Sequence, residues 1–140
     1  MSTSLDALGR AVKQLQTKHH RMLDIRLTEI GSSLAQWDAL RAVHRNPGAS
    51  SHALAEYTFQ TDQSFGALAA RLVDKGLVSR SAGKGRAICY VLTASGEDIR
   101  RRGASIAAEV FSASFAPLDE DERAVLLSLL ERLMIPASNR

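Results

Sequence analysis

Hydrophobic residues recur at helical spacing along most of the chain, and the first such stretch runs from residue 5 to residue 30. Its periodic positions follow one another in steps of three and four, which places them on one side of a long helix. These positions are Leu5, Leu8, Val12, Leu15, His19, Met22 and Arg26. Gly31 and the two serines that follow it predict the end of this helix.

Three shorter helices are predicted next. Residues 34–45 form the first, and Asn46-Pro47-Gly48 breaks it. Ser50 is the expected N-cap of a helix of about two turns, and Thr61 caps a further helix that Gly76 terminates. Two short helices joined by a few residues are typical of a helix-turn-helix unit. The inner side of the first helix carries Leu34, Trp37, Leu40 and Val43.

The second helix of this unit has one apolar side and one small, polar side. At about 100° per residue, its apolar side carries Phe65, Leu68, Ala69 and Leu72, and its other side carries Gln63, Ser64, Ala67, Ala70 and Arg71. Small side chains let a helix backbone approach DNA, while Gln and Ser reach base edges and Arg reaches phosphates or guanine. An ordinary solvated helix face has the same pattern, so this helix alone leaves both interpretations open.

A short basic hairpin follows directly. Leu77–Val78 and Ile88–Leu92 are β-type runs, and the segment SRSAGKGR between them contains glycines that favour a turn. Four cations and no acid lie between residues 75 and 86: Lys75, Arg80, Lys84 and Arg86. A helix-turn-helix followed by such a hairpin is the winged-helix plan, in which one helix enters the major groove and the wing contacts the backbone or the minor groove. On this plan the DNA-contacting residues are Ser50, Thr61, Gln63, Ser64, Ala67, Arg71, Arg80, Lys84 and Arg86.

Two further helices complete the predicted secondary structure. Thr93 is the expected N-cap of a long helix that ends by Pro117, and Asp119 with Glu122 predicts a capping box at the start of the last helix. Apolar residues of that last helix cover an arc of roughly 200°, about twice the stripe that a single core needs. Contact with a second subunit is the favoured explanation, and burial in the core of the same chain is the alternative. The predicted dimer interface comprises Leu5, Leu8, Val12, Val125, Leu126, Leu129, Leu130 and Leu133.

The length and composition of the chain limit the number of domains, the class of partner and the compartment. The 140 residues fit one domain, 1–140, and 18 Lys and Arg against 15 Asp and Glu give a net charge of +3, which is compatible with a polyanionic partner. A single cysteine, Cys89, excludes an intrachain disulfide framework, as expected in a reducing compartment. The first residues lack an apolar signal-peptide core, and no run reaches the roughly 18 apolar residues of a membrane span. We therefore expect a cytoplasmic protein without membrane contact.

Neither catalysis nor a cofactor is expected. The chain has no G-x-S-x-G elbow, and Gly83-Lys84-Gly85 lacks the other positions of a phosphate loop or a dinucleotide fingerprint. His19 and His20 raise the alternative of a metal site, but neighbouring helical residues point about 100° apart, so a structural or dimer-contact His19 is favoured. Cys89 is interpreted as a small buried packing residue in preference to a redox sensor.

Four segments, taken in order, resemble the multiple antibiotic resistance regulator (MarR) family: LAQWDALRAV, ALAEYT, ARLVDKGLVSR and VLTASG. They span residues 34–96, and the flanking helices extend the resemblance to nearly the whole chain. The resemblance implies a mainly α fold with a small β-wing, in which residues 34–96 form a winged helix-turn-helix core and the helices in 5–30 and 97–135 form a dimerisation region. It also implies a homodimeric transcriptional regulator, in particular a repressor, that binds a pseudo-palindromic site in double-stranded DNA and often a small aromatic effector.

One feature of the wing departs from the family pattern. The family commonly has Asp-x-Arg in the wing, whereas this chain has Lys84-Gly85-Arg86 in a loop about one residue shorter. Arg86 still aligns with the family arginine, and Lys84 offers a second phosphate contact.

A pocket for an aromatic acid is predicted where the first two helices meet the winged core, as the resemblance implies. Polar groups on a buried stripe normally satisfy one another or a dimer partner. A site for an aromatic carboxylate, however, needs the same combination of apolar walls and a few cationic or donor groups. The predicted lining is Leu15, His19, Met22, Arg26, Trp37 and Leu40.

Two other functions share this fold. A winged helix can serve as a protein-interaction module that does not bind DNA, or as an architectural DNA binder without an effector. Binding to DNA that weakens as the salt concentration rises separates the regulator from the first alternative. A response of DNA binding to aromatic small molecules separates it from the second.

Overall fold

Six helices and a two-stranded antiparallel sheet make up residues 3–82 and 88–135, which the computed structural model describes. In chain order these are α1 (Leu5–Thr28), α2 (Leu34–Arg45), α3 (Ser51–Tyr57), α4 (Asp62–Asp74), β1 (Val78–Ala82), β2 (Ile88–Leu92), α5 (Ala94–Phe115) and α6 (Glu120–Met134). Helix-turn-helix and hairpin follow each other along the chain, and long helices flank them on both sides. This arrangement is the winged helix that the sequence predicts.

Side-chain caps fix the starts of the helices. The side chains of Ser50, Thr61 and Thr93 each accept a hydrogen bond from the backbone N–H three residues later, at 3.1, 3.0 and 3.0 Å. Asp119 and Glu122 form the reciprocal capping box at α6. Such bonds satisfy N–H groups that a helix start otherwise leaves without partners. The four helix starts predicted from these residues are confirmed.

Two predicted boundaries are wrong. The sequence predicts β1 at Leu77–Val78, but the strand runs over Val78–Ala82. Polar residues that the prediction placed in the loop instead pair with β2, as Arg80 does with Tyr90. Exposed strand residues need no apolar side chain when the partner strand supplies the backbone hydrogen bonds. α1 ends at Thr28, before residue 30, because Glu29, Ile30 and Gly31 donate to carbonyls three residues back and close a tighter turn.

The first hydrophobic core lies beneath the helix-turn-helix and joins α2, α3, α4 and both strands. Leu40, Leu54, Phe65 and Leu72 are its largest fully buried members, and Tyr90 of β2 packs against Phe65 with ring centroids 6.2 Å apart. Close packing of these side chains fixes how α4 is rotated about its axis. The polar side of α4 consequently faces outward.

A second core joins α1, α2 and α5 around Trp37. The indole Nε1–H of Trp37 donates to the Arg100 carbonyl at 3.1 Å, and Leu27 and Val110 pack in the same cluster. Gly103 makes this packing possible, since a Cβ at that position would lie 2.3 Å from Trp37 Nε1. Trp37 thereby links α2 of the winged core to the long helix α5.

Apolar residues at both ends of the described chain remain uncovered. Leu5 of α1 is 84% exposed, Leu133 of α6 is 74% exposed, and α6 has no buried residue. The alternative in which α6 is buried in the core of its own chain is therefore wrong. Apolar surface of this extent indicates a contact surface. Within the described ranges, no helix combines the length and the hydrophobicity needed to cross a membrane.

Candidate nucleic-acid interface and adjoining cavities

The outward side of α4 carries the residues that the helical pattern placed there. Thr61, Gln63, Ser64, Ala67 and Arg71 are exposed, while Phe65, Leu68, Ala69 and Leu72 are buried in the first core. This division confirms the predicted orientation of the helix. The DNA contacts assigned to the outward residues remain predictions. Ser50 is half-buried at the start of α3, where it also forms a β-bridge with Cys89.

A glycine, Gly66, lies within α4, and its neighbourhood is open. A Cβ built on Gly66 would meet no atom within 4 Å, so nothing inside the described chain requires a glycine at this position. Gly66 adjoins Ala67 and Ala70, and the three residues form a flat strip beside Gln63. A flat strip lets the helix backbone approach another surface closely.

The cations near α4 have different environments. Arg71 and Arg80 are exposed and have no carboxylate partner among the residues that the structure describes. Lys75, grouped by sequence with the wing cations, instead donates through Nζ to Gly31 O and Gln36 Oε1, both at 2.9 Å. It therefore connects the end of α4 to the turn between α1 and α2. The wing-tip residues Lys84 and Arg86 lie outside the described residues.

The polar members of the predicted effector pocket have partners on α5. Arg26 forms ion pairs with Glu109 and Glu29, and the hydrogen bond to Glu109 raises the pKa of Arg26. His19 Nε2 lies 2.6 Å from Ser114 Oγ, with the ring of Phe111 edge-on to the imidazole. Burial lowers the pKa of His19. Both side chains thus connect α1 to α5 within the subunit.

The apolar residues of the predicted effector pocket do not lie together in the structure. Leu40 is 0% exposed within the first core, so it cannot form a wall of an open pocket, and this part of the prediction is wrong. Trp37 and Met22 belong to the second core, whereas Leu15 is 39% exposed on α1. The pattern along one helix could not show that Leu40 faces α3 and α4 rather than α1.

A cavity that the sequence analysis missed lies between α2 and α5. Its volume is about 270 Å³, and its lining consists of Trp37, Arg41, His44, Arg45, Arg100, Ala104, Ala107 and Ala108. The guanidinium of Arg41 stacks on Trp37, 4.3 Å from the ring centroid. Arg41 Nε is buried without a hydrogen-bond partner among the described residues, and burial lowers the pKa of Arg41. The spacing of Trp37, Arg41 and Arg45 at successive steps of four was the available sequence signal.

Metal binding has no candidate among residues 3–82 and 88–135, where no three His, Cys, Asp or Glu side chains are grouped as ligands. His19 is directed at Ser114 and Phe111, not toward a shared site with His20. Cys89 is only half-buried on β2, with Sγ 3.0 Å from Ser81 Oγ, so the prediction that it is buried is wrong.

Comparison with known proteins agrees with this architecture. The model of the MarR family matches residues 30–87. The HTH-type transcriptional repressor Rv2887 of Mycobacterium tuberculosis is 28% identical over 109 residues, which cover 76% of this chain and 78% of the repressor. The crystal structure of Rv2887 with salicylic acid has a TM-score of 0.74 at 25% identity and covers 94% of this chain and 97% of that one.

A second solved structure shares the fold. A mutant of MarR from E. coli, crystallised with operator DNA, has a TM-score of 0.83 at 22% identity, covering 95% of this chain and 100% of that one. The match therefore includes the long flanking helices as well as the winged core. Together these similarities show that the chain has the winged-helix fold of the two solved structures, with its long flanking helices included.

Proposed function

We propose that this protein is a DNA-binding transcriptional repressor that acts as a homodimer in the cytoplasm and has no catalytic role. The observation that carries the proposal is the exposed side of α4, where Gln63, Ser64 and Arg71 lie on a helix of small residues that is held rigidly by the first core. The similar protein Rv2887 of Mycobacterium tuberculosis is a transcriptional repressor, which supports the same role here.

DNA recognition is assigned to residues 34–96. On this proposal α4 enters the major groove, where Gln63 is placed to form hydrogen bonds with a base edge, and Arg71 contacts phosphate or guanine. Arg80 on β1 would contact the backbone beside the groove, followed by the wing-tip cations Lys84 and Arg86. Ser50 and Thr61 lie at the N-termini of α3 and α4, where backbone N–H groups and the helix dipole favour contact with phosphate.

Dimerisation is assigned to the helices in 5–30 and 97–135. One winged helix covers a single half-site, whereas a dimer reads two half-sites about one helical turn apart. The exposed apolar residues at the start of α1 and along α6 supply a self-complementary surface for a second copy. This assignment retains the interface predicted from sequence: Leu5, Leu8, Val12, Val125, Leu126, Leu129, Leu130 and Leu133.

The DNA-binding proposal is tested by selecting bound duplexes from a random pool and measuring affinity for the selected duplex at several salt concentrations. Gln63→Ala should cost about 1–3 kcal/mol at one base pair and relax specificity there. Arg71→Ala and Arg86→Ala should weaken binding to most sequences and lower the salt slope by about one unit each. If no duplex is enriched and binding has no salt dependence, the protein-interaction alternative is correct.

We further propose that a small aromatic carboxylate regulates DNA binding, and that the cavity between α2 and α5 receives it. Its alanines and Trp37 give an apolar lining, and Arg41 offers a buried N–H that has no partner among the described residues. An arginine of this kind suits a carboxylate. The structure of Rv2887 with salicylic acid supports this ligand class.

Trp37, the only tryptophan, provides the assay. Salicylate should quench Trp37 fluorescence saturably and weaken binding to the selected duplex over the same concentration range, because a ligand shifts an equilibrium only through its differential affinity for the two states. Arg41→Ala should reduce both effects. Arg26→Ala is the matched control, since Arg26 is already paired with Glu109 and Glu29. Loss of the response in Arg26→Ala alone would move the site to the pocket predicted from sequence, and no response across aromatic acids would favour an architectural protein.

A further inference from the structure

A histidine bridges the two helices of the helix-turn-helix. His52 lies in the first turn of α3, and its Nδ1 is 2.8 Å from Oδ1 of Asp62, the first residue of α4. Its other ring nitrogen, Nε2, is 2.9 Å from Oε1 of Glu56, one turn further along α3. One imidazole therefore contacts two carboxylates on two different helices.

The two nitrogens of a neutral imidazole cannot both donate. Neutral His52 carries one N–H, so it can satisfy only one of the two carboxylates, whereas protonated His52 donates to both. Hydrogen bonding to Asp62, followed by the charges of Asp62 and Glu56, raises the pKa of His52. Asp62 and Glu56 are the charged groups that face the ring from α4 and α3.

The His52 bridge lies beside the residues assigned to DNA contact. Asp62 directly precedes Gln63 and follows Thr61, both on the exposed side assigned to DNA. A carboxylate at that position repels phosphates, and a protonated histidine beside it reduces the repulsion while holding the start of α4 against α3. The net charge of the three side chains is −1 with His52 protonated and −2 with His52 neutral.

We propose that His52 is a positioning residue whose protonated form bridges Asp62 and Glu56 and strengthens DNA binding, so that affinity falls as the pH rises. This inference rests on the proposed DNA-binding function. Because the pKa of His52 is raised from the ordinary 6.5, the charged bridge is complete below that value and is lost as the pH rises through the raised pKa. Phosphates brought near the ring favour the protonated form further, so DNA binding is coupled to proton uptake in this pH window.

Two substitutions at position 52 imitate the two charge states. His52→Lys keeps a cation throughout the range and should bind DNA with little change between about pH 6 and about pH 8.5, whereas His52→Gln should bind weakly and equally at both values. The wild-type protein should lose about three- to tenfold in affinity across that range, which corresponds to a difference of up to about one pKa unit between free and bound states. His20→Gln, on the exposed side of α1, is the matched control and should retain the wild-type pH profile.

The measurement is fluorescence anisotropy of the full chain with the selected duplex, at constant salt concentration. An NMR titration of the DNA-free protein adds an independent readout, in which the His52 ring should titrate above pH 6.5 and Asp62→Asn should lower that midpoint. If wild-type protein binds DNA but His52→Gln retains the same pH dependence, or if the His52 midpoint is not raised, the inference is overturned while the DNA-binding function stands. Failure of wild-type protein to bind any duplex at any pH would instead overturn the proposed function, and the inference with it.

Discussion

Replacing Gly66 with alanine should stabilise the protein and at the same time weaken its binding to DNA. Glycine inside a helix costs about 1 kcal/mol relative to alanine, because the unfolded chain loses more conformational freedom on folding. At Gly66 the added methyl group meets no atom within 4 Å, so no packing cost offsets this gain. We expect the free energy of unfolding to rise by about 0.5–1 kcal/mol and the midpoint of thermal unfolding to rise by about 2–4 °C.

The same methyl group projects from the strip of α4 that is proposed to enter the major groove. A close-packed contact that must accept an additional carbon typically loses about 1–3 kcal/mol, which is roughly a fivefold to hundredfold loss of affinity. Stability is measured by thermal and urea unfolding, followed by circular dichroism at one fixed protein concentration because the protein is proposed to be a dimer. Affinity is measured by anisotropy with the selected duplex.

The two results together decide whether Gly66 serves close approach to DNA. A variant that is more stable and binds DNA as tightly as the wild type would show that the strip beside Gln63 does not approach DNA closely. A variant that is less stable would contradict the open space around Gly66. Only a gain in stability combined with a loss of affinity agrees with the proposed use of this glycine.

Two further substitutions test other parts of the structure. Gly103→Ala makes the same chemical change in α5 but should lower the midpoint of thermal unfolding. The new Cβ would lie 2.3 Å from Trp37 Nε1, and overpacking of this kind costs about 1–3 kcal/mol. An unchanged midpoint in a thermal scan would contradict the close packing around Gly103. Val125→Asp combined with Leu129→Asp should convert the protein to a monomer in sedimentation velocity and abolish specific DNA binding, whereas Ser128→Asp on the polar side of α6 should leave the dimer intact. A native dimer in the double variant would remove α6 from the interface.

Local chemistry explains why much of the fold could be predicted from sequence. Ser50, Thr61 and Thr93 cap helices by bonding to backbone N–H groups three residues away, and Asp119 with Glu122 does so reciprocally. Neither interaction depends on a distant part of the chain. The two sides of α4 were likewise fixed by helical geometry, since a spacing of three to four residues determines which side chains share a face.

Other features depend on contacts between distant segments of the chain, which the sequence pattern does not show. Trp37 donates a hydrogen bond to the Arg100 carbonyl across 63 positions, and both residues line the cavity that Arg41 also lines. Lys75 was grouped with the wing cations by proximity in sequence, yet its ammonium bonds to the carbonyl of Gly31, 44 positions away. A charge pattern gives the sign of a side chain but not the direction in which a long, flexible side chain extends.

Both the extent of β1 and the His52 bridge depend on contacts between separate elements, so the sequence alone did not predict them. Ser79 to Ser81 carry no apolar signal, and only hydrogen bonding to β2 makes them a strand. His52 and Asp62 lie ten positions apart on two helices, and the turn between α3 and α4 brings imidazole and carboxylate to 2.8 Å. Sequence by itself determined where the helices begin and which side of α4 faces outward, because those depend on neighbours within one turn. Tertiary structure decided which polar groups meet, because that depends on how the helices pack against one another.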